Sequence, residues 1–91
     1  MNDDWDAISY VISSRYRVEV LRHLIDGPST PSQIANDTDN SIAHVSRALG
    51  DLRERGLVDL LVSEERTKGR VYGVTDRGKT VWGTIETENL V

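Results

Sequence analysis

Two helix starts separated by a short polar stretch constrain this 91-residue chain more than any other feature. The first is Thr30-Pro31-Ser32-Gln33: a capping hydroxyl, a proline at the first helical position, and a glutamine three residues past the cap. The helix it opens carries Ile34 and Ala35 and is expected to fade through Asn36 to Asn40. Asn40 or Ser41 then caps a longer helix over 41–55, in which Ile42, Val45, Leu49 and Leu52 recur at helical spacing as a core-facing stripe. Gly56 supplies its terminus. A short capped helix, a tight connection and a longer helix with a polar outer face make a helix-turn-helix arrangement.

The flanks extend that arrangement. Trp5, Ile8, Val11 and Ile12 form a helix-spaced stripe behind the acidic Asp3, Asp4 and Asp6, and Ser13 or Ser14 caps the helix that follows. Val18, Val20, Leu21, Leu24 and Ile25 give this next helix a broad apolar face, the mark of a central, largely buried element, before Asp26-Gly27-Pro28 stops it. Downstream the period changes. Leu57–Val62 and Arg70–Val74 read as short strands of a hairpin with the charged 63–69 loop at its tip. Thr75-Asp76-Arg77-Gly78 caps a last helix with Val81, Trp82 and Ile85 on one side; Gly78 and Gly83 weaken it, so it needs packing to persist. The expected fold is mainly α with a β-hairpin wing: a winged helix-turn-helix in the order α-α-α-α-β-β-α, one domain over residues 1–91.

Several chemistries fail on inventory. Without cysteine there are no disulfides, thiolate metal sites or thiol nucleophiles. The two histidines, His23 and His44, are not in a ligand-spaced pair, and His23 reads as a hydrogen-bonded, part-buried side chain among Leu21, Leu24 and Ile25. No Gly-rich phosphate loop or nucleophile elbow occurs, so no enzyme, cofactor or metal is expected. The longest apolar run, Leu60-Leu61-Val62, falls far short of the ~18–20 residues that cross a membrane. The acidic N-terminus is the opposite of a secretory signal, and a cytoplasmic protein with no membrane partner is expected. Eleven basic against 15 acidic residues give a net charge of −4, which alone argues against a general nucleic-acid coat. The placement differs from the total: residues 1–40 hold three cations and seven carboxylates, residues 41–79 eight and six. A basic second half sits between two acidic ends.

Four pieces in order then carry a resemblance. They are Ser14-Arg15-Tyr16-Arg17 leading into Val20-Leu21; Ser32-Gln33-Ile34-Ala35; His44-Val45-Ser46-Arg47-Ala48-Leu49 running to Leu52 and Gly56-Leu57-Val58; and Gly69-Arg70-Val71-Tyr72 with Val74-Thr75-Asp76-Arg77-Gly78. Together they make Tyr10 to Trp82 similar to winged-helix transcription regulators of the ArsR/MarR-like type, particularly the small archaeal ones. The resemblance implies a sequence-specific regulator of double-stranded DNA, acting as a repressor, with the 41–55 helix in the major groove. Opposite its core stripe lie Ala43, His44, Arg47, Gly50 and Asp51, with Asn40, Ser41 and Ser46 near the helix start and Ser32 on the preceding helix. Arg47 suits guanine O6 and N7, although an exposed arginine is otherwise simply solvated. The 63–70 wing brings Arg66, Lys68 and Arg70 to the minor groove or the backbone; a charged, solubilising turn is the alternative, to which Glu64-Glu65 lend weight. Arg53 and Arg55 read as surface ion pairs.

The resemblance also implies a homodimer through residues 3–13 and 76–88, with Trp5, Ile8, Val11, Val81, Trp82 and Ile85 at the interface. The other possibility is that both tryptophans close the core of a monomer. These helices are too short for the small-molecule pocket of such regulators, and no effector is expected. The second functional class is a winged-helix protein–protein interaction module without its own sequence-specific DNA binding, which the charge of −4 suits. Nine of the 11 cations are Arg and nine of the 15 acids are Asp, a bias resembling the proteins of halophilic archaea. In salt near 1 M the screening length is only ~3 Å, and acidic ends hardly repel DNA at a distance.

Overall fold

The computed structural model describes residues 3–62 and 70–91, which form five helices and one hairpin. The order is α1 (Asp3–Ile12), α2 (Arg15–Ile25), α3 (Pro31–Thr38), α4 (Ile42–Glu54), β1 (Val58–Val62), β2 (Val71–Val74) and α5 (Asp76–Thr87). This is the winged helix-turn-helix order read from the sequence.

Four helices begin on a hydroxyl. Ser14, Thr30, Ser41 and Thr75 take extended backbone and accept from Arg17, Gln33, His44 and Gly78 N–H, respectively. The capping box at α3 closes on one side only. Gln33 N–H reaches Thr30 Oγ1 at 3.1 Å, but the Gln33 amide runs forward to Asp37 instead of back to the cap. Asp39, in the left-handed region at φ 58°, ends α3 and turns the chain into α4.

Helix α2 buries Val18, Val20, Leu21 and Leu24, and α1, α3, α4, α5 and β2 pack around it. Val45, Ala48, Leu49 and Leu52 of α4, Ile34 of α3, and Ile8 and Val11 of α1 complete a continuous core with Val81, Trp82 and Ile85 of α5. The seam of α4 therefore differs from the expected one: Ala48 replaces Ile42, which is 52% exposed. Ile42 stands in the first turn, where no preceding turn of α4 shields it. The residues expected at a dimer interface divide by burial. Ile8, Val11, Val81, Trp82 and Ile85 are buried within one chain, at 0–4% exposure, and have no surface left for a partner; only Trp5, 50% exposed, does.

The strands pair antiparallel, Val58 with Val74 and Leu60 with Tyr72, and the register shifts between Leu60 and Val62. A further bridge joins Ser29, in the α2–α3 connection, to Tyr72 by backbone bonds of 3.0 and 2.8 Å. The hairpin is thus sewn to the helix-turn-helix. Its other end is fixed by Thr75, whose hydroxyl donates to the Gly56 carbonyl at 2.7 Å and whose N–H donates to Leu57 O.

Gly78 is more than a weak helix residue. It lies buried against this joint, where a Cβ would fall on the Leu57 carbonyl and within 2.6 Å of Val74 Cγ2. Gly83, in the same helix, is exposed with open space around it. Gly78→Ala is expected to destabilise the fold by about 1–3 kcal/mol through overpacking. Gly83→Ala should stabilise it by about 0.5–1 kcal/mol through helix propensity. Urea unfolding of the two variants checks both signs.

Candidate nucleic-acid interface

The outward face of α4 follows from its buried seam. With Val45, Ala48, Leu49 and Leu52 turned inward, Ala43, Ser46, Arg47, Gly50 and Glu54 are exposed on the other side. Arg47 has no hydrogen bond or ion pair with any described residue. The exposed Ser41 caps the helix, so free N–H groups and the positive end of the helix dipole point the same way as this face's start.

His44 is held from two sides. Its ring stacks on Tyr16 of α2, centroids 4.3 Å apart and planes 17° from parallel, and its Nδ1 lies 3.0 Å from Ser41 Oγ. The same Ser41 oxygen accepts the His44 N–H at 3.1 Å, so cap and ring stiffen the first turn together. Arg15 lies 5.3 Å over the Tyr16 ring and adds a cation beside this turn.

Other expected site residues divide. Ser32 is exposed on the first turn of α3. Asn40 turns inward: its amide donates to Glu19 Oε1 at 2.6 Å and to Thr38 Oγ1 at 3.0 Å, which ties the turn to α2. Asp51 is also withdrawn from the outer face, half-buried and 3.3 Å from Arg17 Nη1. Of the wing residues, Arg66 and Lys68 lie outside the described residues. Arg70 is exposed, with Nη1 donating to the Tyr72 hydroxyl at 3.4 Å.

Arg17 makes the main polar contact beneath this surface. It donates through Nε to Tyr10 O at 2.7 Å and through Nη2 to Ser13 Oγ at 2.7 Å, besides its contact with Asp51. Its guanidinium lies 3.9 Å from the Tyr10 ring centroid, and that of Arg55 lies at the same distance. Both cations thus engage the Tyr10 ring. Among the described residues Arg55 meets an aromatic ring, and neither Arg53 nor Arg55 makes the expected ion pair. Nothing in local sequence marks this clamp, which joins α1, α2 and α4.

Between α2 and α3, His23 Nε2 lies 2.8 Å from Asp37 Oδ2, and the Gln33 amide donates to both carboxylate oxygens at 3.1 and 3.2 Å. His23 is the hydrogen-bonded, part-buried residue expected. The bond to His23 foremost, then that to Gln33, holds the Asp37 carboxyl below its usual 3.8. Among the described residues, no group of three or more His, Cys, Asp or Glu could hold a metal ion. No helix of the described residues is long and apolar enough to cross a membrane.

Comparison with known proteins agrees with this layout. A family model described as the HVO_A0261 N-terminal domain matches residues 5–89. No curated protein matches the sequence. The transcriptional regulator YodB from B. subtilis is similar with a TM-score of 0.79 at 18% identity, over 99% of this chain and 89% of that one. A mutant form of Lactococcus lactis ZitR gives 0.73 at 23%, over 81% and 51%. A MarR family transcriptional regulator from Silicibacter pomeroyi gives 0.69 at 24%, over 78% and 48%. The chain thus spans about half the length of the last two. At these identities the likeness is one of fold.

The Asp37 contact predicts an acid sensitivity. Because its folded-state pKa is depressed, its stabilisation is complete above the ordinary carboxylate value and is lost as pH falls through the folded value. Between about pH 6 and about pH 2.5 the wild-type chain should lose more stability than Asp37→Asn. Urea unfolding at the two pH values reads the difference; equal losses would refute it.

Proposed function

The chain belongs to the HVO_A0261 N-terminal domain family, and from that premise we propose that it is a sequence-specific double-stranded DNA-binding transcription regulator, a repressor working in the salt-rich cytoplasm of an archaeon. The observation that carries the reading is the outer face of α4: a rigid first turn opening onto exposed Ala43, Ser46 and Arg47, the last without a hydrogen bond or ion pair among the described residues. The regulator titles of the structurally similar YodB and the Silicibacter protein support the reading. So does the basic bias of residues 41–79.

In this reading α4 lies in the major groove. Arg47 takes a guanine edge, His44 and Ser46 take base edges or phosphates, and Ser32, Ser41 and the N-terminus of α4 take the backbone. The 63–70 wing, with Arg66, Lys68 and Arg70, follows the adjacent backbone or minor groove. Chemistry plays no part; occupancy of the operator is the output, and no small-molecule effector is invoked.

The regulator is a homodimer. Trp5 and Ile12 leave an apolar strip on α1, 50% and 36% exposed, while Thr80, Gly83 and Thr87 make a small-residue surface on α5. Removing such a strip from water is what a second copy would do for a domain of this size.

Arg47→Ala is expected to cost about 1–3 kcal/mol in operator binding and to relax the preference at one G·C pair per half-site. Fluorescence anisotropy on operator and point-mutant duplexes measures both; unchanged affinity and preference would favour the interaction-module reading. For the dimer, sedimentation should give twice the chain mass of 10.2 kDa, and Trp5→Glu should shift it to the monomer without unfolding. A wild-type species of 10.2 kDa that still binds the operator would overturn the dimer.

A further inference from the structure

We infer that Ile42 is a specificity residue that reads the methyl group of a thymine in the major groove. The inference rests on the DNA-binding reading above and adds to it a base that no polar side chain identifies. By spacing, Ile42 belongs with Val45, Leu49 and Leu52, which are all 0% exposed, yet it is 52% exposed. Helix α4 packs on α2, α3 and β1, and this packing leaves half of Ile42 in water. It is the first residue of the helix, directly after the Ser41 cap, and the exposed Ala43, His44, Ser46 and Arg47 follow it in the first two turns.

An isoleucine half in water at the leading end of an otherwise polar helix face has one apolar counterpart in the major groove. Base edges there offer hydrogen-bond donors and acceptors, and only thymine adds a methyl. Residues at the N-terminus of a groove-entering helix are the ones that meet base edges. Two further features suit the role. Ala43 beside it is too small to keep the helix off the base pairs. The isoleucine is also pre-ordered: its β-branch restricts χ1 in a helix, and the Ser41–His44–Tyr16 contacts fix the backbone beneath it. The chemistry assigns each half-site a thymine besides the guanine expected for Arg47.

The test removes only the methyl. The full chain is first used to enrich duplexes from a random-sequence pool. Each thymine of the enriched half-site is then replaced in turn by deoxyuridine, and affinity is measured by anisotropy. One position should weaken wild-type binding by about three- to fivefold per half-site, the effect of one buried methyl. Ile42→Ala should bind the thymine and deoxyuridine duplexes equally, and its circular-dichroism spectrum and cooperative unfolding check that it is folded. If no thymine position matters, or if the loss persists in Ile42→Ala, the inference fails while the DNA-binding reading stands. If no duplex is enriched over the pool, the DNA-binding reading fails and takes the inference with it.

Discussion

Burial of α2 on nearly every side is the constraint from which the other positions follow. Val18, Val20, Leu21 and Leu24 are all buried, and α1, α3, α4, α5 and β2 each pack against this one central helix. A small domain has little apolar area to spend, and concentrating it on one helix leaves the outer faces of α3 and α4 free of core duties. The polar contacts of α2 then set angles that apolar packing leaves open. Arg17 reaches Tyr10 and Asp51, His23 reaches Asp37, and Glu19 takes the Asn40 amide, so α1, α3, the turn and α4 each receive one directional tie.

Local signals were enough for the elements. Hydroxyl caps at Ser14, Thr30, Ser41 and Thr75 satisfy N–H groups within three residues, and such short-range chemistry is visible in a single sequence. The change of period at Leu57 located the hairpin for the same reason. What sequence reading missed was tertiary. The burial of Gly78 depends on the Leu57 carbonyl, and the inward turn of Asn40 depends on Glu19, 21 positions earlier. Ile42 fits the apolar stripe by spacing, but spacing does not reveal where the neighbouring helices stop. The interface tryptophans show the same limit from the other side: Trp82 and Trp5 occupy equivalent-looking stripe positions, and only packing separates a core residue at 4% exposure from a surface one at 50%.

The candidate site was legible in its residue types and less so in their duties. Arg47, Ser46 and Ala43 lie on the exposed face as read. His44 does too, but as part of a unit with Ser41 and Tyr16 that fixes its ring. Asp51 and Asn40 were assigned to the same surface and instead brace it from below. The bracing fixes the backbone from which the exposed side chains of α4 project.

The Tyr10 ring ties three elements at one point. It belongs to α1, which carries the exposed Trp5, and the two guanidiniums over it come from α2 and from the C-terminal end of α4. Rotating α1 would drag both guanidiniums with the ring, so the pitch of the first helix and the far end of α4 are set together.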